Sequence, residues 1–208
     1  MITKWNEMSI ADFEKKLEIE SLPVSDEEKE YQLAALCGGI TYDQLLNQPL
    51  SITQDMMTNI AFLYSAPREV KTQREYHIGT RDYVLLRDSS ELTLAAYLDF
   101  QSIVSLPTEE NIAELMAIVL IPKGCAYNEG YNHNEIVEEI RNNFNIEDAL
   151  SVASFFIKRF RRSINSLLNR VEALTLWHSL TNRNKAIRQA MRRSRKAIKD
   201  LRSGYGSL

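Results

Sequence analysis

The first 67 residues are punctuated by helix start and stop signals. Ser9 precedes Ile10, Asp12 and Phe13 and suits an N-cap, after which Ile10, Phe13 and Leu17 share a face. Pro23 closes that helix. Ser25-Asp26-Glu27-Glu28 has the spacing of a capping box, with acidic side chains where the helix dipole favours them. The helix it opens carries Tyr31, Leu33, Ala34 and Leu36 and stops at Gly38-Gly39. Thr41-Tyr42-Asp43-Gln44 repeats the box and starts a short helix ended by Pro49. Thr53 opens a further helix, with Met57, Ile60, Ala61 and Tyr64 inward, which Pro67 ends. Punctuation this dense leaves room for short packed helices and little else.

The middle changes period. Between Glu69 and Leu86, β-branched and aromatic residues flank Gly79-Thr80, which reads as a β-hairpin turning near Gly79 to Asp82. Two strands alone are marginal, so the hairpin must pack on helices or join another sheet. Ser89 or Ser90 is expected to cap a helix through Leu94, Tyr97, Leu98 and Phe100. Thr108 to Asn111 starts a more apolar helix, Ile112 to Ile121, expected at the centre of the core and ended by Pro122-Lys123-Gly124. After the loop CAYNEGYNHN (125–134), Asn134 caps a short helix with Ile136, Val137 and Ile140, and Asn145 caps the next. The predicted fold class is mainly α: a compact multi-helix body with one small β-hairpin, and a C-terminal helical arm. The expected division is an acidic body over 1–157, with its hairpin near 69–87, and a basic helical arm over 158–208.

Charge supports that division. From Lys158 to Arg202 there are 14 Lys or Arg against Glu172 and Asp200 alone, a net +12. The other residues hold 11 basic and 26 acidic side chains, a net −15, so the chain carries −3 in all. Beyond a break at Thr181 to Asn184, Arg188, Arg192, Arg195, Lys199 and Arg202 recur at helical spacing on one face. Ile187, Met191, Ile198 and Leu201 form a separate apolar stripe that needs a partner. A straight helix over those 45 residues would run about 65 Å, more than a domain of this size needs. The basic face fits a solvated bundle helix, an arm that docks on an acidic neighbour, or a phosphate-binding surface. No aromatic residues interleave with the arginines, which weighs against stacking on single strands. The apolar stripe also lacks the Trp, Phe or rich Leu face of a membrane-surface helix.

At 208 residues the chain can bury a sizeable core without metal or disulfide staples. Its two cysteines, Cys37 and Cys125, are single and far apart, which argues against a zinc site or disulfide framework. No apolar run approaches the roughly 20 residues needed to span a bilayer, and the N-terminus has no secretory stretch, so synthesis in a reducing cytoplasm is expected. Asn128, Glu129, Asn132 and His133 crowd one loop, but their spacing matches neither an EF-hand nor a zinc pattern, and an Asn- and Gly-rich turn is the simpler reading. Gly124 and Gly130 form no phosphate loop. Cys37 has no neighbouring positive group to activate it and reads as a packed thiol. His77 and His178 fall in expected strand and helix, and the carboxylates on expected solvent-facing helix positions. The expectation is therefore no enzyme, no cofactor, no metal and no membrane contact.

The order of segments carries a resemblance. WNEMSIADFEKKLEI is followed by EEKEYQLAALCGG, FLYSAP, YHIGTRDYVLL and LTLAAYLDFQSI, and then by IPKGCAYNEGYN, EIVEEIRNNF and DALSVASFFIKRF. Over about residues 1 to 162 this resembles uncharacterised proteins from the structural gene clusters of tailed phages of gut Bacteroidales, including crAss-like relatives. The helical body is also similar in outline to phage tail assembly chaperones. The resemblance carries no catalytic signature and implies virion assembly, as a head, neck or tail component or as a chaperone-like factor. Other phage structural proteins and further copies of the chain are the implied partners. The setting would be the host cytoplasm during assembly, or the virion. The basic arm leaves open weak, non-specific DNA contact, and with it the alternative of a nucleic-acid-binding protein.

Overall fold

The computed structural model describes residues 1–87, 90–104 and 111–160. A 3-10 turn at Trp5–Glu7 leads into α1 (Ile10–Ser21), α2 (Asp26–Gly38), α3 (Tyr42–Leu46) and α4 (Leu50–Asn59). The local signals form as their chemistry requires. Ser9 and Asp12 exchange side chain and backbone bonds in a reciprocal capping box, as do Thr41 and Gln44. The Ser25 hydroxyl accepts from Glu28 N–H, and Gly39, at φ +69°, ends α2 in the left-handed conformation.

The next helix departs from expectation. It begins directly after Pro49, and Thr53 lies within its first turn, its N–H bonded to Pro49 O. Its inward residues are Met56 and Ile60, while Tyr64 is exposed and hydrogen-bonds Glu30. The cause is a change of pitch. The chain tightens into a 3-10 turn over Ile60–Tyr64, at about 3.0 residues per turn, so a face extrapolated at 3.6 drifts out of register.

β1 (Glu75–Ile78) and β2 (Arg81–Leu85) form the hairpin, pairing Glu75 with Val84 and Ile78 with Arg81. Gly79, at φ +59°, takes the first central position of a two-residue turn, where a side-chain-bearing residue would be strained. The hairpin does join a larger sheet. β3 (Leu120–Pro122) pairs antiparallel with the far side of β2, setting Val84 opposite Ile121. The helix expected to reach Ile121 is therefore α6 (Ile112–Val119), ending at Val119. A short apolar run carries no period that separates helix from strand, and pairing here satisfies the free edge of β2.

α5 (Leu94–Val104) is capped by Thr93, whose hydroxyl accepts from Ala96 N–H at 3.2 Å. The expected Ser89 lies outside the described residues, and Thr93 wins over Ser90 by standing directly before the first helical residue. α7 (His133–Asn143) is capped by Asn132 rather than the expected Asn134, whose N–H donates to the Asn132 side chain. Asn145 does cap the final described helix, α8 (146–160), by accepting from Asp148 N–H at 2.9 Å.

α6 is buried along almost its whole length, as its sequence suggested, and α5, α7 and β3 pack against it. Phe100 stacks on Phe156 and Phe160 at 5.1 and 4.3 Å between ring centroids. The N-terminal segment is stitched to the α7–α8 joint: Ile10 N–H donates to Phe144 O, and Ile146 N–H to Met8 O. The described residues all fall within one compact unit, Met1–Phe160. No described helix is long and apolar enough to cross a membrane.

Candidate functional site

The residues singled out for partner or phosphate contact lie outside the described residues. These are Arg188, Arg192, Arg195, Lys199 and Arg202, with the stripe Ile187, Met191, Ile198 and Leu201. The other candidates can be placed. Cys37 is buried, and burial with the nearby Asp12 charge pushes its thiol up to about 11, opposite to activation. In the loop 125–132, Asn128 adopts a left-handed φ of 58° and its N–H donates to Tyr131 Oη. Asn132 spends its side chain on capping α7 and on Glu135. Among the described residues no group of three or more His, Cys, Asp or Glu could hold a metal ion.

Three networks engage carboxylates; Glu139 and Glu14 are half-buried, which corrects the expectation that the carboxylates face solvent, while Asp99 is exposed. Glu139 of α7 reaches the hairpin turn, where it accepts from Thr80 N–H and Oγ1 at 2.9 Å and from Tyr83 Oη at 2.8 Å. Arg81 Nε lies 3.5 Å away. Burial raises the affinity of Glu139 for a proton, but these donors and the Arg81 charge outweigh it and hold the carboxyl below its ordinary range. In the second network Tyr127 Oη donates to Asp99 Oδ2 at 2.8 Å, and burial and that bond push the phenol up. In the third, Arg141 pairs with Glu14 at 3.2 Å and with Glu138. The Glu14 contact is an ion pair without an aligned hydrogen bond, so Arg141 Nε and Glu14 Oε1 remain buried and unsatisfied. Burial raises the Glu14 carboxyl against the opposing pull of Arg141. These networks join elements far apart in sequence, and no local pattern announces them.

Two open clefts mark the surface. One, of about 600 Å³, lies between the β2–β3 end of the sheet and the loop before α7. Its cations are already engaged, Arg81 with Glu139 and Lys123 with Glu75 at 2.9 Å. Cys125 lines it as an exposed thiol. The second, of about 400 Å³, is walled by Trp5 and Phe62 and flanked by Lys4 and Arg68. The other conspicuous surface feature is apolar. Leu46 and Leu50 stand 61% and 73% exposed at the α3–α4 elbow, and Leu94 and Leu98 project one turn apart on α5.

Comparison with protein-family models, curated proteins and solved structures finds no significant match to this chain.

Proposed function

We propose that the protein is a non-enzymatic morphogenesis protein of a tailed phage and works by protein–protein contact, as a head, neck or tail component or as a chaperone-like factor for tail subunits. One observation carries this reading: the chain separates +12 over Lys158 to Arg202 from −15 over the rest. A chain of that kind can set the basic segment of one copy against the acidic body of another, head to tail, which builds rings or filaments. The exposed leucines at the α3–α4 elbow and on α5 support contact surfaces of the same kind. Native mass measurement of the protein alone, and beside the phage structural proteins in infected-cell lysate, is the test. A chain that stays monomeric and unaccompanied in both would end this reading.

The recurrence of Arg188, Arg192, Arg195, Lys199 and Arg202 favours a second reading, sequence-independent DNA binding. Salt separates the two. Five phosphate contacts predict a log–log salt slope of roughly −4 to −5, whereas a protein interface that also buries Met191 and Ile198 keeps much of its affinity. Met191→Asp with Ile198→Asp should abolish protein contact and spare most DNA binding. Steep, tight DNA binding that survives those changes, with no protein partner, selects the second reading.

A further inference from the structure

Between the 3-10 turn at Ile60–Tyr64 and β1, residues 65–73 run without regular structure along α8. Two main-chain bonds hold them there, Arg68 N–H donating to Glu147 Oε1 at 3.1 Å and Val70 N–H to Ser151 Oγ at 3.0 Å, and Lys158 of α8 adds an exposed ion pair to Glu69 at 3.3 Å. The acceptors are four residues apart on a helix, about 6 Å along its axis. The donors are two apart on the strap, which spans about 6.6 Å only if the chain is extended. That spacing suits an extended strap lying along α8.

An extended chain turns successive peptide groups to opposite sides. With residues 68 and 70 facing α8, the main-chain groups of Glu69 and Lys71 face away, and neither has a hydrogen-bond partner among the described residues. Residues 68 to 71 are all exposed, and Val70 ranks among the exposed large apolar side chains at 37%. This is an open strand edge, outside the three-stranded sheet.

We infer that this edge pairs antiparallel with the same edge of a second copy, about a two-fold axis at Val70. The register follows from the sequence. Setting Val70 opposite its mate puts Glu69 opposite the second copy's Lys71, twice over. Those residues exchange main-chain bonds, and the two Val70 side chains meet in the closer, non-hydrogen-bonded pair. Shifting the centre to residue 69 sets Glu69 against Glu69 and brings in Pro67, which has no N–H to give. Shifting it to residue 71 sets Lys71 against Lys71. One register alone satisfies donors, charges and the apolar residue together, with Glu69 exchanging its exposed pair with Lys158 of α8, at 3.3 Å, for Lys71 of the second copy. The interface is small and reversible, and it rests on the protein–protein reading above.

A charge-swap series on the full chain tests it, read by sedimentation from about 1 µM to about 1 mM. Wild type should dimerise. Glu69→Lys alone and Lys71→Glu alone place like charges opposite at both pairs, and each should weaken the dimer by about tenfold or more. The double exchange should restore it, and the two single variants, mixed, should form a heterodimer. In a Cys125→Ser background, Val70→Cys should link two chains under oxidised glutathione, because that pair brings Cα atoms to about 4.5 Å. Wild type monomeric throughout the range would overturn the inference and show the strap charges to be edge protection. Association indifferent to the swap, or a dimer that Val70→Cys does not link, would also overturn it. Either result leaves assembly through other surfaces standing. The functional reading fails separately, if the native protein joins no complex at all.

Discussion

The hairpin and the strap are neighbouring extended segments, and they are held in opposite ways. The hairpin buries Tyr76, Ile78, Tyr83 and Leu85 and supplies the outer strand β1 and the central strand β2 of a three-stranded ladder. Its turn is clasped by Glu139 through Thr80, Tyr83 and Arg81. The strap is exposed along most of its length and hangs on Glu147 and Ser151. Extended backbone alone therefore does not make sheet. Alternating apolar side chains over a core do, and where they are missing the peptide groups stay free for another chain.

Large-to-small change in the hairpin should break this contrast hardest. Leu85→Ala empties a fully buried site and should cost about 2–5 kcal/mol in urea unfolding. The same truncation at exposed Val70 should move the midpoint by less than about 0.5 kcal/mol. Equal losses at the two sites would erase the distinction.

Next is the clasp. Glu139→Ala leaves the Thr80 N–H and the Tyr83 hydroxyl without their acceptor and should cost about 1–3 kcal/mol. The clasp also carries a pH signature. The Glu139 carboxyl lies below its reference of 4.5 in the folded state, so its contribution is present above that value and is lost as pH falls through the folded value. Acid titration of stability in wild type and Glu139→Gln should show a shallower acid limb in the variant. Identical limbs would mean that the clasp does not depend on charge.

The strap's own tether ranks third. Ser151→Ala removes the acceptor of Val70 N–H and should cost about 1 kcal/mol. It should also speed amide exchange at Val70 while leaving Leu85 slow, measured residue by residue. The smallest effect is expected at Lys158→Ala. That residue's pair with Glu69 is exposed at both ends, so the change in stability should stay within about 0.5 kcal/mol.

Legibility in the sequence follows the reach of the forces. Caps at Ser9, Thr41 and Asn145 are three-residue transactions and could be read directly. The hairpin was legible because its turn needs a residue free at positive φ, and Gly79 supplies one. β3 was not, because Leu120 to Pro122 takes its strand identity from β2, far back in the chain. The clasp was hidden for the same reason, since Glu139 meets Thr80 and Tyr83 across 59 and 56 residues. Thr93 and Asn132 show a finer failure, in which adjacent polar residues compete for one cap and local geometry decides. Of the candidate site, the charge division was visible in composition alone, whereas the strap edge appeared only once α8 supplied two acceptors at strand spacing.

The stitch between Met8 to Ile10 and Phe144 to Ile146 sets a schedule for biosynthesis. Ribosomes extend a chain at about 5–20 residues per second, so Met8 waits on the order of ten seconds before Ile146 is made. Throughout that interval Met8 and Ile10, both fully buried at the end, lack the main-chain partners that residues 144 and 146 supply. The nascent N-terminus is thus open to holding factors until the last described helix emerges. An arrested chain that stops short of residue 146 should present those side chains to a chaperone, whereas one that has fully exposed residue 160 should not.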